Sequence, residues 1–262
     1  MRTRLTALAT GFVVAAALLS TAAPSNAIVG ASEPDTQHLN VGVLLPSPNM
    51  PVPRWCGGTL IAPRVFLVAG HCVALRAQML GETDGVVTFD RDIRDGVQSA
   101  TYHGEMLLHP GYGSQGSLSH DVGLVVLDAA VTGVPVQPLP AAGLLDDLQR
   151  AGTLRDEPLT LVGYGTTQRM PGNVFVAGGE RRAADQQVQS LTGLWLRHQG
   201  GTDGGTACIY DSGSPLFRGG TLVGVLSQGD GACSTLGVSA RVDTPAIRSW
   251  LTDQIAAAAA AS

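Results

Sequence analysis

Three short segments, widely spaced along 262 residues, constrain this chain more than any other feature: Ala69-Gly70-His71-Cys72, His120-Asp121-Val122-Gly123-Leu124 and Tyr210-Asp211-Ser212-Gly213-Ser214-Pro215. A serine hydroxyl is a poor nucleophile near neutral pH. It needs a base within hydrogen-bond reach and a third group that fixes the base's tautomer and orientation. His71, Asp121 and Ser212 provide one residue for each task. A fold that uses them must bring side chains from both halves of the chain into one cleft.

The first 27 residues carry Arg2 and Arg4, an apolar run over 5–19, and Ser25-Asn26-Ala27, the pattern of a secretory signal cleaved after Ala27. A membrane anchor is the rival reading, but the run is short and is interrupted by Thr6, Thr10 and Gly11. The remaining 28–262 suits an all-β protein with a sizeable core. Only 14% of residues are charged and the net charge is −5, which argues against a nucleic-acid footprint or a polybasic membrane surface. Cys56, Cys72, Cys208 and Cys233 all follow the expected signal, as befits an oxidising compartment and two disulfides. Four cysteines leave three pairings open. Zinc at His71 and Cys72 is a weak alternative, because no close pair of cysteines with a matching histidine pair exists, so no metal is expected.

Apolar residues alternate at Val41, Val43 and Leu45, and short apolar runs recur at 60–61, 65–68, 86–87, 106–108 and 124–127. The pattern returns at 159–162, 188–196, 216–217, 222–226 and 238–242, with 34 glycines and 15 prolines supplying turns. Many short strands favour a sandwich or barrel. One helix is expected near the end: Thr244 can cap it, Pro245 fits its first position, and Ile247, Trp250, Leu251 and Ile255 fall at helical spacing. Residues 256–261 have helix propensity but no apolar stripe, so a fraying extension is expected there. The segment 134–152, with Pro135, Pro138 and Pro140, resembles a connection between two halves.

From Trp55-Cys56-Gly57-Gly58-Thr59-Leu60-Ile61 to His71-Cys72, the chain resembles the stretch that leads to the catalytic histidine of chymotrypsin/trypsin-like serine proteases. The order His, Asp, Ser is also that of this family rather than of subtilisin or the α/β-hydrolases. Val162-Gly163-Tyr164-Gly165-Thr166 is similar to its Gly-Trp-Gly-Thr turn. The resemblance implies an all-β fold of two packed six-stranded antiparallel Greek-key barrels with a C-terminal α-helix. The peptidase domain would span 28–255: a first barrel over about 28–140, a second over about 153–243, a helix over about 245–255 packed on the second barrel, and an Ala-rich tail at 256–262. It also implies the pairings Cys56 with Cys72 and Cys208 with Cys233.

In that family's chemistry His71 takes the proton of Ser212, Asp121 orients His71, and the amides of residue 210 and Ser212 hold the oxyanion. Here Tyr210 and Ser214 replace two glycines of the family's Gly-Asp-Ser-Gly-Gly-Pro. Tyrosine retains the N–H, but glycine reaches strained dihedrals more cheaply, so a collapsed hole and an inactive binding module is the alternative function. Ile28-Val29-Gly30 resembles the family's inserted N-terminus, with Asp211 as the partner of its ammonium. Ala27 before Ile28 points to activation by signal peptidase itself, and a short pro-segment is the competing reading. Thr206 falls at the base of the primary pocket, Ser227, Gln228 and Gly229 along the strand that pairs with substrate, and Gly237 on the opposite wall. Uncharged Thr206 implies apolar or aromatic rather than basic specificity. The expectation is therefore a secreted, monomeric serine endopeptidase that needs no cofactor. Its partners would be protein or peptide substrates and a proteinaceous inhibitor, with no nucleic acid and no membrane after signal removal. His120 is expected to be a surface neighbour of Asp121.

Overall fold

The computed structural model describes residues 28–30, 32–172, 174–201 and 204–261. The expected signal at 1–27 lies outside the described residues. The chain forms two closed six-stranded antiparallel barrels. A two-residue strand β1 (Glu33–Pro34) precedes β2 (Val41–Leu44), β3 (Cys56–Ala62), β4 (Val65–Val68), β5 (Asp84–Thr88), β6 (Tyr102–Leu108) and β7 (Gly123–Leu127), with helix α1 (Gly70–Leu80) between β4 and β5. These six longer strands close in the order β2-β3-β4-β7-β6-β5.

Helix α2 (Leu144–Ala151) leads to β8 (Leu159–Gly163), and a separate hairpin of β9 (Gln168–Met170) and β10 (Val174–Val176) follows. The second barrel then continues with β11 (Arg182–Leu191), β12 (Trp195–Gly200), β13 (Pro215–Arg218), β14 (Thr221–Gly229) and β15 (Leu236–Arg241). It closes as β8-β11-β12-β15-β14-β13, with β1 added beside β11. In both barrels the third strand pairs with the sixth, the same Greek-key crossing. Helix α3 (Pro245–Ala260) ends the chain.

Strand alternation, shifted on β14 by a bulge at Val223, divides the apolar residues between two cores. On β14, Val223 and Leu226 join Ile28, Leu159, Leu161, Leu196 and Leu216 inside the second barrel. Their neighbours Leu222 and Val225 face the other way, into one core with Val162, Phe217 and the first barrel's Val41, Leu60 and Phe66. Both faces of these strands are therefore buried, and so the sequence shows apolar runs there rather than clean alternation.

Several elements depart from the sequence expectation. The run 188–196 is two strands, because Thr192-Gly193-Leu194 turns the chain between β11 and β12. The connection at 134–152 holds α2, which Arg241 secures by donating to both carboxylate oxygens of Asp146 at 3.0 and 2.7 Å while also binding Asp243. Helix α3 packs on the first barrel, not the second. Ile247, Leu251 and Ala258 join the core cluster that holds the first barrel's apolar residues, Trp250 meets His109 edge-on, and Arg64 beside β4 donates to Ala258 O at 3.3 Å. That docking also accounts for the tail: residues expected to fray are helical to Ala260, with Ala258 buried. Thr244 stands at the N-cap, but its hydroxyl makes no capping bond.

Polar side chains fasten the seam between the barrels. Arg181, 2% exposed, pairs with Asp35 at 3.0 Å and donates to the carbonyls of Val41 and Phe89 at 3.1 and 3.3 Å. The Tyr164 hydroxyl lies beside the same guanidinium, 2.9 Å from Asp90 O, and burial pushes its pKa up to about 12. Burial alone would raise the Asp35 carboxyl, but its bonds to His38 and the charge of Arg181 outweigh that and hold it at about 2. Arg181→Met leaves the buried Asp35 with His38 as its remaining partner and takes a donor from the Val41 and Phe89 carbonyls, and we expect a loss of about 3 kcal/mol in urea unfolding. Because the Asp35 pKa is depressed, its contribution is present above about pH 4 and disappears as pH falls towards 2. Asp35→Asn should flatten that acid limb of the stability curve by about 2 kcal/mol.

Candidate active site

Helix α1 begins directly after β4 and carries His71 in its first turn. Gly70 permits this: a methyl group there would come within 2.9 Å of Val122 N and 3.0 Å of Val122 O. The close approach lets Asp121, fully buried, accept from the backbone N–H of His71 at 2.6 Å and lie 2.7 Å from His71 Nδ1. Ser227 of β14 donates its Oγ–H to the same carboxylate at 2.5 Å. Facing a carboxylate, which accepts, Nδ1 is the donor nitrogen of this contact, and Nε2 is left for another partner. The His71 side chain is 25% exposed, and it lines a cleft of about 510 Å³ together with Ser212, Tyr210, Ser227, Gln228 and Gly229. Among the described residues Ser212 makes no hydrogen bond to His71.

Disulfides join Cys56 to Cys72 and Cys208 to Cys233. The first ties α1 to β3 and the second closes the loop around Ser212, each restricting the unfolded chain by about 3 kcal/mol. Cys56, His71 and Cys72 offer their donor atoms within 4.8 Å of one another. With both sulfurs in the disulfide, neither thiolate is available to a metal.

Around Ser212 the two departures from the family pattern take distinct forms. Tyr210 has a φ of 71°, inside the left-handed region, and its ring stacks on Trp55 with centroids 4.4 Å apart. Ser214 is fully buried, its hydroxyl has no partner among the described residues, and it presses on Gly57, where a Cβ would lie 2.7 Å from its Oγ. Asp211 is fully buried and accepts from the N–H groups of Gly165 and Cys208 at 2.8 and 3.0 Å. Burial is the dominant influence on Asp211 and raises its pKa to about 7 despite those two bonds. Ile28 is fully buried in the second barrel, and Val29 pairs with Thr206 through bonds of 3.1 and 2.7 Å. Among the described residues Ile28 and Asp211 are not hydrogen-bonded.

Thr206 and Gly237 are not among the residues lining this cleft. Thr206 is buried and its hydroxyl donates to Gly204 O at 3.1 Å, while Gly237 is held against the buried ring of His198. His120 is buried, not a surface neighbour: it takes a positive φ and stacks on His109 at 5.2 Å. Leu44, Met50, Val52 and Leu75 add apolar side chains to the lining of the cleft, which sequence reasoning missed because these residues sit at a strand end, on a loop and on α1. Asp230 is the one carboxylate among the cleft's described lining residues. Its oxygens accept from Ser234 and Thr235 within its own loop, and although burial opposes it, those bonds hold its pKa far below the usual range.

Comparison with known proteins agrees with this architecture. The family model "Trypsin" matches residues 28–251. Kallikrein-12 of Homo sapiens is 32% identical over 204 residues, covering 70% of this chain and 73% of its own length. A trypsin of Saccharopolyspora erythraea is 28% identical over 236 residues, covering 82% and 93%. Human heparin binding protein superposes with a TM-score of 0.64 at 20% identity, covering 86% of this chain and 95% of that one, a likeness of fold alone. Both barrels and the whole neighbourhood of His71, Asp121 and Ser212 fall within the matched region: the chain belongs to the trypsin family of serine proteases.

Proposed function

We propose that the mature chain is a secreted serine endopeptidase that cleaves peptide bonds through an acyl-enzyme. The observation that carries this reading is the 2.7 Å contact of His71 Nδ1 with a fully buried Asp121, on the cleft that Ser212 also lines. His71 Nε2 accepts the Ser212 proton as the oxygen attacks the carbonyl, and Asp121 stabilises the imidazolium that results. The amides of Tyr210 and Ser212 receive the charge on the carbonyl oxygen, His71 protonates the leaving amine, and water repeats the sequence to release the acid. The left-handed backbone of Tyr210 favours this reading over an inactive binding module, whose premise is a collapsed loop.

Apolar or aromatic primary specificity is supported by what the cleft lacks. Thr206 carries no charge, and the Asp230 carboxylate is occupied within its own loop, so neither offers an arginine or lysine side chain a free counter-charge. Gln228 and Gly229, both exposed on the cleft, would pair with the substrate backbone, and Gly237 with Thr206 would shape the pocket behind them.

The active form begins at Ile28. In the chain that continues before Ile28, Asp211 is a buried carboxylate with no cation among the described residues, whereas cleavage would place an ammonium in its vicinity. A carboxyl whose pKa is raised on folding destabilises its ionised state. The uncleaved chain should therefore lose about 4 kcal/mol of stability as pH rises from 4 through 7, and the chain starting at Ile28 should lose much less. Urea titrations of both forms at pH 4.5 and 8 check this, and equal pH slopes would refute the pairing.

Activity itself is tested with a fluorophosphonate probe on the mature chain. We expect labelling at Ser212. Ser212→Ala should abolish labelling and reduce peptide hydrolysis by a factor on the order of 10⁶. A folded, correctly processed chain that resists labelling would sink the peptidase and favour the binding module. Predominant cleavage after arginine or lysine in a peptide library would overturn the specificity alone.

A further inference from the structure

Tyr210 takes a backbone conformation that L side chains rarely adopt, with φ at 71°. The left-handed region disfavours a residue with a Cβ by a factor on the order of ten relative to its alternatives, so a compensating contact has to hold it there. Among the described residues the ring that meets Tyr210 is Trp55, with centroids 4.4 Å apart and planes inclined by 27°. An offset stack of this kind contributes a factor of about 2 to 10 beyond area burial.

The indole is a firm support. Its Nε1–H donates to Tyr164 O at 3.3 Å, and the next residue, Cys56, is locked to Cys72 and opens β3. On the other side of Tyr210, the Asp211 carboxylate is tied to the amides of Gly165 and Cys208. The peptide at 210 is thus bracketed by a fixed ring and a fixed carboxylate. Because only χ1 and χ2 separate the ring from Cα, a ring held in place restrains φ and with it the N–H of the same residue.

We infer that Trp55 is a positioning residue for oxyanion binding: by stacking on Tyr210 it holds the left-handed backbone in which the amides of residues 210 and 212 converge. The inference rests on the reading of Ser212 as nucleophile. Trp55 touches no reacting atom in this scheme and acts only through Tyr210. It follows that the tyrosine at 210 and the tryptophan at 55 form a pair, and that a glycine at 210 removes the need for the stack.

A double-mutant cycle on the mature full chain tests this with a chromogenic peptide. Trp55→Ala should lower kcat about five- to tenfold with KM unchanged within about twofold, since the charge that needs the amides develops after substrate binds. Trp55→Phe, which keeps a stack, should recover activity to within about twofold of the parent. In a Tyr210→Gly background, Trp55→Ala should cost less than about twofold. Equal losses in the two backgrounds, or a loss carried by KM, would overturn the assignment. A crystal structure of Trp55→Ala gives an answer that does not depend on activity. There φ at residue 210 should leave the positive region, and its retention near 71° would contradict the inference. Failure of the parent to react with a fluorophosphonate would defeat the peptidase reading, and the crystallographic result would still decide the role of Trp55.

Discussion

One carboxylate joins the two halves of this molecule at the place where chemistry is expected. Asp121, two residues before β7 and out of contact with solvent, accepts from the amide and the imidazole of His71 in the first half and from the hydroxyl of Ser227 in the second. A buried anion is stable only when its oxygens are well supplied with donors. Here the donors come from helix α1 of the first half and strand β14 of the second, so the anion is fully supplied only when the barrels are correctly docked. The docking in turn depends on strands whose outward faces are as apolar as their inward ones.

The same principle operates at two other points along the seam. Arg181 reaches carbonyls of the first barrel from its position just before β11, and Tyr164 places its hydroxyl among them. Asp211 is the contrasting case. It is equally buried, but two amide donors do not offset its loss of solvent, and its pKa stays high. One buried carboxylate thus has three donors and the other two, and the second belongs to the loop that carries Ser212.

The candidate site was legible in the sequence because each of its parts sits in a local motif: histidine beside a cysteine, aspartate before an apolar strand, serine between an aspartate and a glycine. The barrels were legible as recurring apolar runs, but periodicity reports that a residue is buried and not what buries it. That is why α3 was expected on the second barrel although Arg64, His109 and β4 hold it on the first. Ala258 shows the same limit, since its burial comes from a neighbour that helix propensity does not reveal. The short amphipathic helix α2 lay hidden among prolines and small residues, and His120 is buried by a stack with His109 that no spacing rule announces. Tyr210 was legible as an anomaly, but its resolution required the partner Trp55, 155 positions earlier in the chain.

The central claim is that Asp121 fixes His71 with its proton on Nδ1, leaving Nε2 free to act as the base. Proton NMR of the folded mature chain tests it most directly. The claim predicts one strongly downfield, exchange-protected imidazole N–H resonance that correlates with the His71 ring and vanishes in Asp121→Asn. A fully folded chain with no such resonance, or one whose resonance survives Asp121→Asn unchanged, would contradict it.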